Sequence, residues 1–145
     1  MARMIFVNLP VADLDRSVAF YKAIGAGQNL QFTDETAAMV SFSETINVML
    51  LTHGKFAQFT AKRIADPRES VQALLALSFD SRDAVDEITE KALAAGGREV
   101  HDKEDHGWMY SRAFEDPDGH GWGPFWMDVR AAGEALAQPA EAAAA

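Results

Sequence analysis

Hydrophobic positions fall into short runs divided by polar turn residues, and the spacing within those runs repeats in one order along the chain. Met4 to Pro10 is a compact apolar run ending at a proline, which predicts a buried strand. Val11-Ala12-Asp13-Leu14-Asp15 then offers an acidic helix start. Beyond it Leu14, Val18, Tyr21 and, less regularly, Ala19 and Ile24 lie close to one helical face. Gly25 and Gly27 stop that helix. Three segments rich in β-branched and aromatic residues follow, Gln28 to Asp34, Thr36 to Phe42 and Ile46 to Thr52. The first half therefore reads β-α-β-β-β.

Residues 53–70 form a polar connection with room for at most a short helix and a proline break at Pro67. The pattern then restarts. Val71 to Phe79 reads as an apolar strand, Asp80-Ser81-Arg82-Asp83 starts a helix carrying Val85, Ile88, Ala92 and Leu93, and Gly96-Gly97 ends it. Arg98 to Asp102, Trp108 to Glu115 and Gly121 to Met127 complete a second β-α-β-β-β half. Asp116-Pro117-Asp118-Gly119 has the residue order of a type I turn. Laying Phe6-Val7-Asn8-Leu9 over Leu74-Leu75-Ala76-Leu77 brings both helices and their terminal glycines into near register, a weak internal duplication. The expectation is one domain over residues 1–130, with module one at 4–52, the connection at 53–70 and module two at 71–128. Residues 131–145 are Ala-rich and read as a helical or frayed tail with no core of its own.

Composition narrows the chemistry. A chain of 145 residues with 48% hydrophobic and 24% charged residues has the balance of a globular domain. No run approaches the roughly 20 apolar residues that cross a bilayer, and the N-terminus lacks the long apolar region of a secretion signal, so a cytoplasmic protein without a membrane partner is expected. The absence of cysteine removes disulfides, thiolate metal sites and cysteine nucleophiles, leaving His and carboxylates as metal ligands. A net charge of -9 opposes nucleic-acid binding, which needs a concentrated basic surface. It is compatible with a cationic small molecule.

The Leu-Pro-Val-Ala-Asp-Leu-Asp-Arg-Ser-Val-Ala-Phe-Tyr run from Leu9 to Tyr21 and the late Phe-Glu-Asp-Pro-Asp-Gly-His-Gly-Trp run from Phe114 to Trp122 sit in corresponding halves of the repeat. Together they resemble the glyoxalase, bleomycin-resistance and extradiol-dioxygenase superfamily, the vicinal-oxygen-chelate proteins. The chain is also similar to the bacterial group called predicted lactoylglutathione lyases. The resemblance spans residues 4 to 128 and implies an α+β fold in which two βαβββ modules form a curved mixed sheet. It further implies a homodimer whose halves complete paired cavities.

Metal-dependent members of that superfamily draw His or Glu ligands from the first and last strands of each module. The resemblance places those positions at Phe6, Leu50, Leu74 and Gly123, none of which binds a metal. The neighbours Ile5, Val7, Met49, Leu51, Ala73, Leu75, Trp122 and Pro124 are not ligands either. The expected protein thus holds no metal or other cofactor and binds a small, partly apolar molecule in a sheet-lined cavity. Period-two alternation from the same positions sends Phe6, Asn8, Leu74, Ala76 and Ser78 to the cavity, along with Gly121, Phe125 and Met127, and turns Trp122 and Trp126 away. Met109, Ser111 and Ala113 face inward in this register, whereas a flipped register would admit Tyr110 and Arg112. Asn8 and Ser111 are the polar groups expected to orient a ligand.

Two alternatives stay open: a metal-dependent lyase or dioxygenase of the same superfamily, and a metal-independent acid–base enzyme. For the latter the candidates are His106, beside Asp105 in a loop that can cover the cavity mouth, and Tyr110. The four histidines, His53, His101, His106 and His120, are all expected in exposed loops.

Overall fold

The computed structural model describes residues 1–137. Module one contains β1 (Ile5–Val11), α1 (Leu14–Ala23), β2 (Gly27–Asn29), a single 3-10 turn at Leu30–Phe32, β3 (Ala37–Ser41) and β4 (Ile46–Thr52). A short α2 (His53–Phe56) opens the connection. Module two contains β5 (Leu74–Phe79), α3 (Arg82–Ala94), β6 (Arg98–Glu99), β7 (Glu104–Asp105), β8 (Met109–Ser111), β9 (Phe114–Glu115) and β10 (Gly121–Met127), after which α4 (Val129–Leu136) follows.

Both modules have the same topology. The first sheet runs β1-β4-β3-β2, with β1 and β4 parallel. In the second, β5 lies parallel to β10, whose other edge takes β8 and β9, and these in turn take β7 and β6. The two mixed sheets are separate ladders. Among the described residues β1 and β5 each pair on one side only.

The strand expected over Trp108 to Glu115 is divided, and the one expected over Arg98 to Asp102 ends at Glu99, with pairing resuming only at Glu104, each for a local reason. Pro124 accepts from the Arg112 N–H at 3.1 Å, but with no N–H of its own it cannot return the bond, so the strand opposite divides into β8 and β9. On the next strand Val100 N–H donates to Ala113 and Glu104 pairs with Ser111, so His101, Asp102 and Lys103 bulge out opposite Arg112 alone. The strand expected over Gln28 to Asp34 is likewise shortened, because the Asn29 side chain accepts from Gln31 N–H and starts the 3-10 turn.

The duplication is most visible where the helices end. Gly25 and Gly96 have φ of 107° and 103°. The N–H of Ala26 returns to the Tyr21 carbonyl and that of Gly97 to the Ala92 carbonyl, the same closing bond in both modules. α1 buries Ser17, Phe20 and Tyr21, and α3 buries Val85, Ile88, Thr89 and Ala92. Ser17 and Phe20 join the expected Leu14, Val18, Tyr21 and Ile24 on the packed side of α1, and Ala19 is exposed, because that helix also covers part of module two. Phe20 meets Phe114 with ring centroids 6.2 Å apart, and Tyr21 meets Trp122 at 5.9 Å.

The strongest tie between modules is polar. Asp118 Oδ1 accepts from Ala12 N–H at 2.9 Å and from Arg16 at 3.3 Å, and its Oδ2 accepts from Ser17 Oγ at 3.2 Å. Asp116 Oδ1 accepts from three successive N–H groups, Asp118, Gly119 and His120, at 2.9 to 3.0 Å. Its Oδ2 accepts from the Tyr21 hydroxyl at 2.7 Å, which itself accepts from Trp122 Nε1 at 3.0 Å. The expected type I turn closes through Gly119 N–H to the Asp116 carbonyl, with Gly119 at φ 105°.

Beyond the modules, Asp128 caps α4 by accepting from Ala131 N–H, and Ala132 is buried. The start of the Ala-rich segment is therefore helical and rests on the domain through Ala132. Residues 138–145 of that expected tail lie outside the described residues. No helix among the described residues is long and apolar enough to cross a membrane.

Two stability predictions follow from these contacts. Asp118→Ala strands the buried Ser17 hydroxyl and Ala12 N–H, and is expected to cost about 3 kcal/mol, since each orphaned buried group costs about 1–3 kcal/mol. Arg98→Ala removes only an exposed pair with Glu115 and should cost less than about 1 kcal/mol. Denaturant melts that rank the two equally would refute the polar tie as a major stabiliser. At Gly97 an added Cβ would sit 2.7 Å from the Glu115 carbonyl oxygen, 2.8 Å from that of Ala92 and 3.1 Å from the Phe20 ring. Gly97→Ala should lower stability by about 1–3 kcal/mol, whereas Gly54→Ala, with open space around it in α2, should be neutral or stabilising.

Candidate functional site

Residues paired across a ladder share a face, so the register decides which side chains meet. In module two, Leu74 pairs with Gly121, Ala76 with Gly123, and Ser78 with Phe125, and Phe125 and Met127 pair onward with Ser111 and Met109. Leu74, Met109, Ser111, Gly123 and Phe125 thereby line one cavity of about 450 Å³ on the sheet face opposite α3. Its walls are mostly apolar. Gly123 leaves part of the floor without a side chain, Leu74 lies over Gly121, and the bulge in the neighbouring strand brings His101 and Glu104 to the rim. Those two rim residues were not legible in the sequence, because a continuous strand across 98–102 gives no reason to bend them in.

In module one, Phe6 and Asn8 pair with Asn47 and Met49 and face away from the helices. Asn8 Nδ2 donates to the Phe6 carbonyl at 3.3 Å, and Asn8 also lines a second cavity between the modules. Phe6 lines neither cavity. Leu50 is a correction. It pairs with Leu9 and Ala38, is fully buried and belongs to the core beneath α1, so it faces the opposite side from Phe6 and Asn8. The side chains of β4 that share their face are Asn47, Met49 and Leu51.

The acid–base candidates are also corrected. Tyr110 is buried on the α3 side, where its hydroxyl donates to Asp86 at 2.6 Å. Burial, reinforced by the Asp86 carboxylate, pushes this phenol up to about 12, so it stays protonated at neutral pH. Arg112 lies on the same side, paired with Asp86 at 3.1 Å, Glu90 at 2.8 Å and Glu99 at 2.8 Å. These carboxylates hold the guanidinium charge firmly against the opposing effect of burial. The flipped register is therefore not adopted. His106 sits at the exposed β7–β8 hairpin, 3.7 Å from Glu104 and stacked on Trp108 with centroids 5.8 Å apart, and it does not line the cavity.

The same hairpin is pinned from α3. Arg82 donates to Asp105 at 2.7 Å and to the Gly107 carbonyl at 2.8 Å, and it lies 5.1 Å from the centre of the Trp126 ring. Hydrogen bonds from Arg82 and Gly107 pull Asp105 down to about 2. His120, expected in an exposed loop, is half-buried. Its Nε2 carries the hydrogen, because its partner at 2.7 Å is the Pro10 carbonyl, which only accepts.

The fit of a metal can be judged from the side chains. Phe6, Met49 and Leu51, Leu74, and Gly123 occupy the relevant faces of the first and last strands, and none is a ligand. No group of three or more His, Cys, Asp or Glu side chains converges among the described residues.

Comparison with known proteins places these features in a lineage. Solved structures similar to this chain include a hypothetical protein from S. aureus, with 25% identity, TM-score 0.73, and 87% of this chain and 94% of that one covered. FosX, a genomically encoded fosfomycin resistance protein from Listeria monocytogenes, matches with 18% identity and TM-score 0.64 over 90% of this chain and 97% of that one. A bleomycin resistance determinant encoded on the transposon Tn5 matches with 21% identity and TM-score 0.58 over 88% and 99%. No curated protein matches the chain. The family model described as Glyoxalase/Bleomycin resistance protein/Dioxygenase superfamily matches residues 3–123, and this chain belongs to that superfamily.

Proposed function

We propose that the protein binds a small, partly apolar molecule on the concave face of module two without using a metal. The observation that carries this reading is the cavity of about 450 Å³ in which an apolar sheet face, floored in part by Gly123, meets a rim bearing only a few polar groups. That is the usual composition of a small-molecule site, where apolar walls supply affinity and a few polar groups supply orientation. Ser111 and Glu104 are the orienting groups. Glu104, together with the net charge of -9, favours a neutral or cationic ligand over an anion at this face.

A second copy of the chain completes the site. Among the described residues β1 and β5 each pair on one side only, and their outward residues are apolar: Phe6 is 45% exposed and Leu74 78%. Exposed apolar patches mark association surfaces, and a two-fold partner seated on these outward faces is the commonest cover.

The metal-dependent alternative, a lactoylglutathione lyase-like or dioxygenase reaction, needs donors on strand faces that here carry Phe6, Met49, Leu74 and Gly123. The acid–base alternative loses both of its named groups, since Tyr110 faces α3 and His106 lies outside the cavity.

Three measurements test this reading. Zinc, nickel and iron(II) titrated calorimetrically should show no tight stoichiometric site, and one tightly bound metal per chain with activity lost on chelation would overturn it. Cationic aromatic compounds should raise the melting temperature, by the equivalent of about 2.7 kcal/mol at 100 times the dissociation constant, and Ala76→Trp should abolish the shift by filling the cavity. Light scattering should give twice the chain mass of 15.8 kDa, and Leu74→Asp should return it to that of one chain.

A further inference from the structure

The cavity between the two modules has a different chemistry. It encloses about 590 Å³ between the free edge of β1, the start of β5, the Gly119–Gly121 turn and the 53–73 connection. Its apolar surface comes from Val7, Leu9, Phe56, Ile64 and Leu75. Lys62 and Arg63 also line it, and among the described residues no Asp or Glu does.

That absence is informative in a chain with 22 acidic and 13 basic residues. Of the other cations, Arg16, Arg82, Lys91, Arg98, Arg112 and Arg130 pair with carboxylates, while Arg3, Lys22, Lys55 and Lys103 make no such pair among the described residues but do not line this cavity. Arg68, next to the cavity, spends a guanidinium N–H on the Pro117 carbonyl. Among the described residues, Lys62 and Arg63 have no carboxylate within 4.0 Å. Two adjacent uncompensated cations at the wall of an apolar cavity create a locally positive potential within an acidic protein. The cavity volume lies within the range of small-molecule sites.

We propose that this inter-module cavity is a second binding site, selective for a small amphiphilic carboxylate. The carboxylate would sit on Lys62 and Arg63, and the apolar body would lie against Val7, Phe56, Ile64 and Leu75. Arg63 offers the planar donor pair that matches a carboxylate, and Lys62 adds a point charge. The ligand would touch β1 of one module, β5 of the other and the connection joining them, so binding would reinforce their union. The site is separate from the concave face of module two and opposite to it in charge preference.

Calorimetric titration of the full chain with octanoate, 1-octanol and octylammonium tests the assignment. Octanoate should bind once per chain, more tightly than either of the others, and less tightly as salt is raised. The doubly reversed variant Lys62→Glu/Arg63→Glu should weaken octanoate at least about tenfold while improving octylammonium. Both side chains are exposed and make no ion pair, so the variant should fold, and Lys62→Gln/Arg63→Gln provides a milder check. Ala76→Trp, placed in the other cavity, should leave octanoate affinity unchanged. The assignment is overturned if, with the concave cavity closed by Ala76→Trp, octylammonium or octanol binds as tightly as octanoate, or if octanoate fails to bind in the millimolar range. It is equally overturned if charge reversal leaves octanoate affinity intact, or if Ala76→Trp removes octanoate binding.

Discussion

A buried carboxylate at the end of one module holding a hydroxyl on the helix of the other is the contact on which the arrangement of both sheets depends. Asp116 organises its own turn through three N–H donors and reaches across to Tyr21, while Asp118 two residues later captures Ser17 and the Ala12 amide. Burial pushes the Asp116 carboxyl above its ordinary range, and burial with the adjacent Asp116 charge pushes Tyr21 higher still. The hydroxyl therefore remains a donor. A carboxyl raised in this way has the opposite pH linkage to Asp105: ionising Asp116 weakens the folded state as pH rises through its raised value. The Asp105 contribution is complete above the ordinary carboxylate range and is lost as pH falls towards about 2.

This tie explains why α1 serves two sheets. With Ser17 and Tyr21 committed to the second module, Phe20 is carried against Phe114 and Tyr21 against Trp122, and one continuous core forms under both helices. The helix-facing sides are thereby used up. What remains outward on β1 and β5 is apolar and unpaired, and the space between those edges, roofed by the connection, becomes the inter-module cavity. Both candidate sites are thus consequences of how the modules were joined rather than additions to the fold.

Pro124 shows how one backbone property reaches a site. Because it cannot donate to the strand beside it, that strand divides at Arg112, and the next strand bulges opposite the break. The bulge supplies His101 and Glu104 to the rim of the concave face. On the other side of the sheet the Arg112 guanidinium gathers Asp86, Glu90 and Glu99, an ion network that anchors α3.

Local chemistry was legible in the chain: the two βαβββ repeats, the glycines closing each helix, the Asp-Pro-Asp-Gly turn, and a strand alternation that puts Leu74, Met109, Ser111, Gly123 and Phe125 together. These features depend on neighbours a few residues apart, where periodicity and turn geometry dominate. The parity of Leu50 was not secured, since every residue of Val48-Met49-Leu50-Leu51 is apolar and alternation has nothing to distinguish the two faces. Tertiary structure alone decided that Tyr110 turns to Asp86, that the two sequence signatures meet through Asp116 and Asp118, and that Lys62 and Arg63 stand together at a cavity without carboxylates. Each of these sets residues against partners many positions away in the chain. Its energy depends on burial and distance in space, which no local pattern in the sequence records.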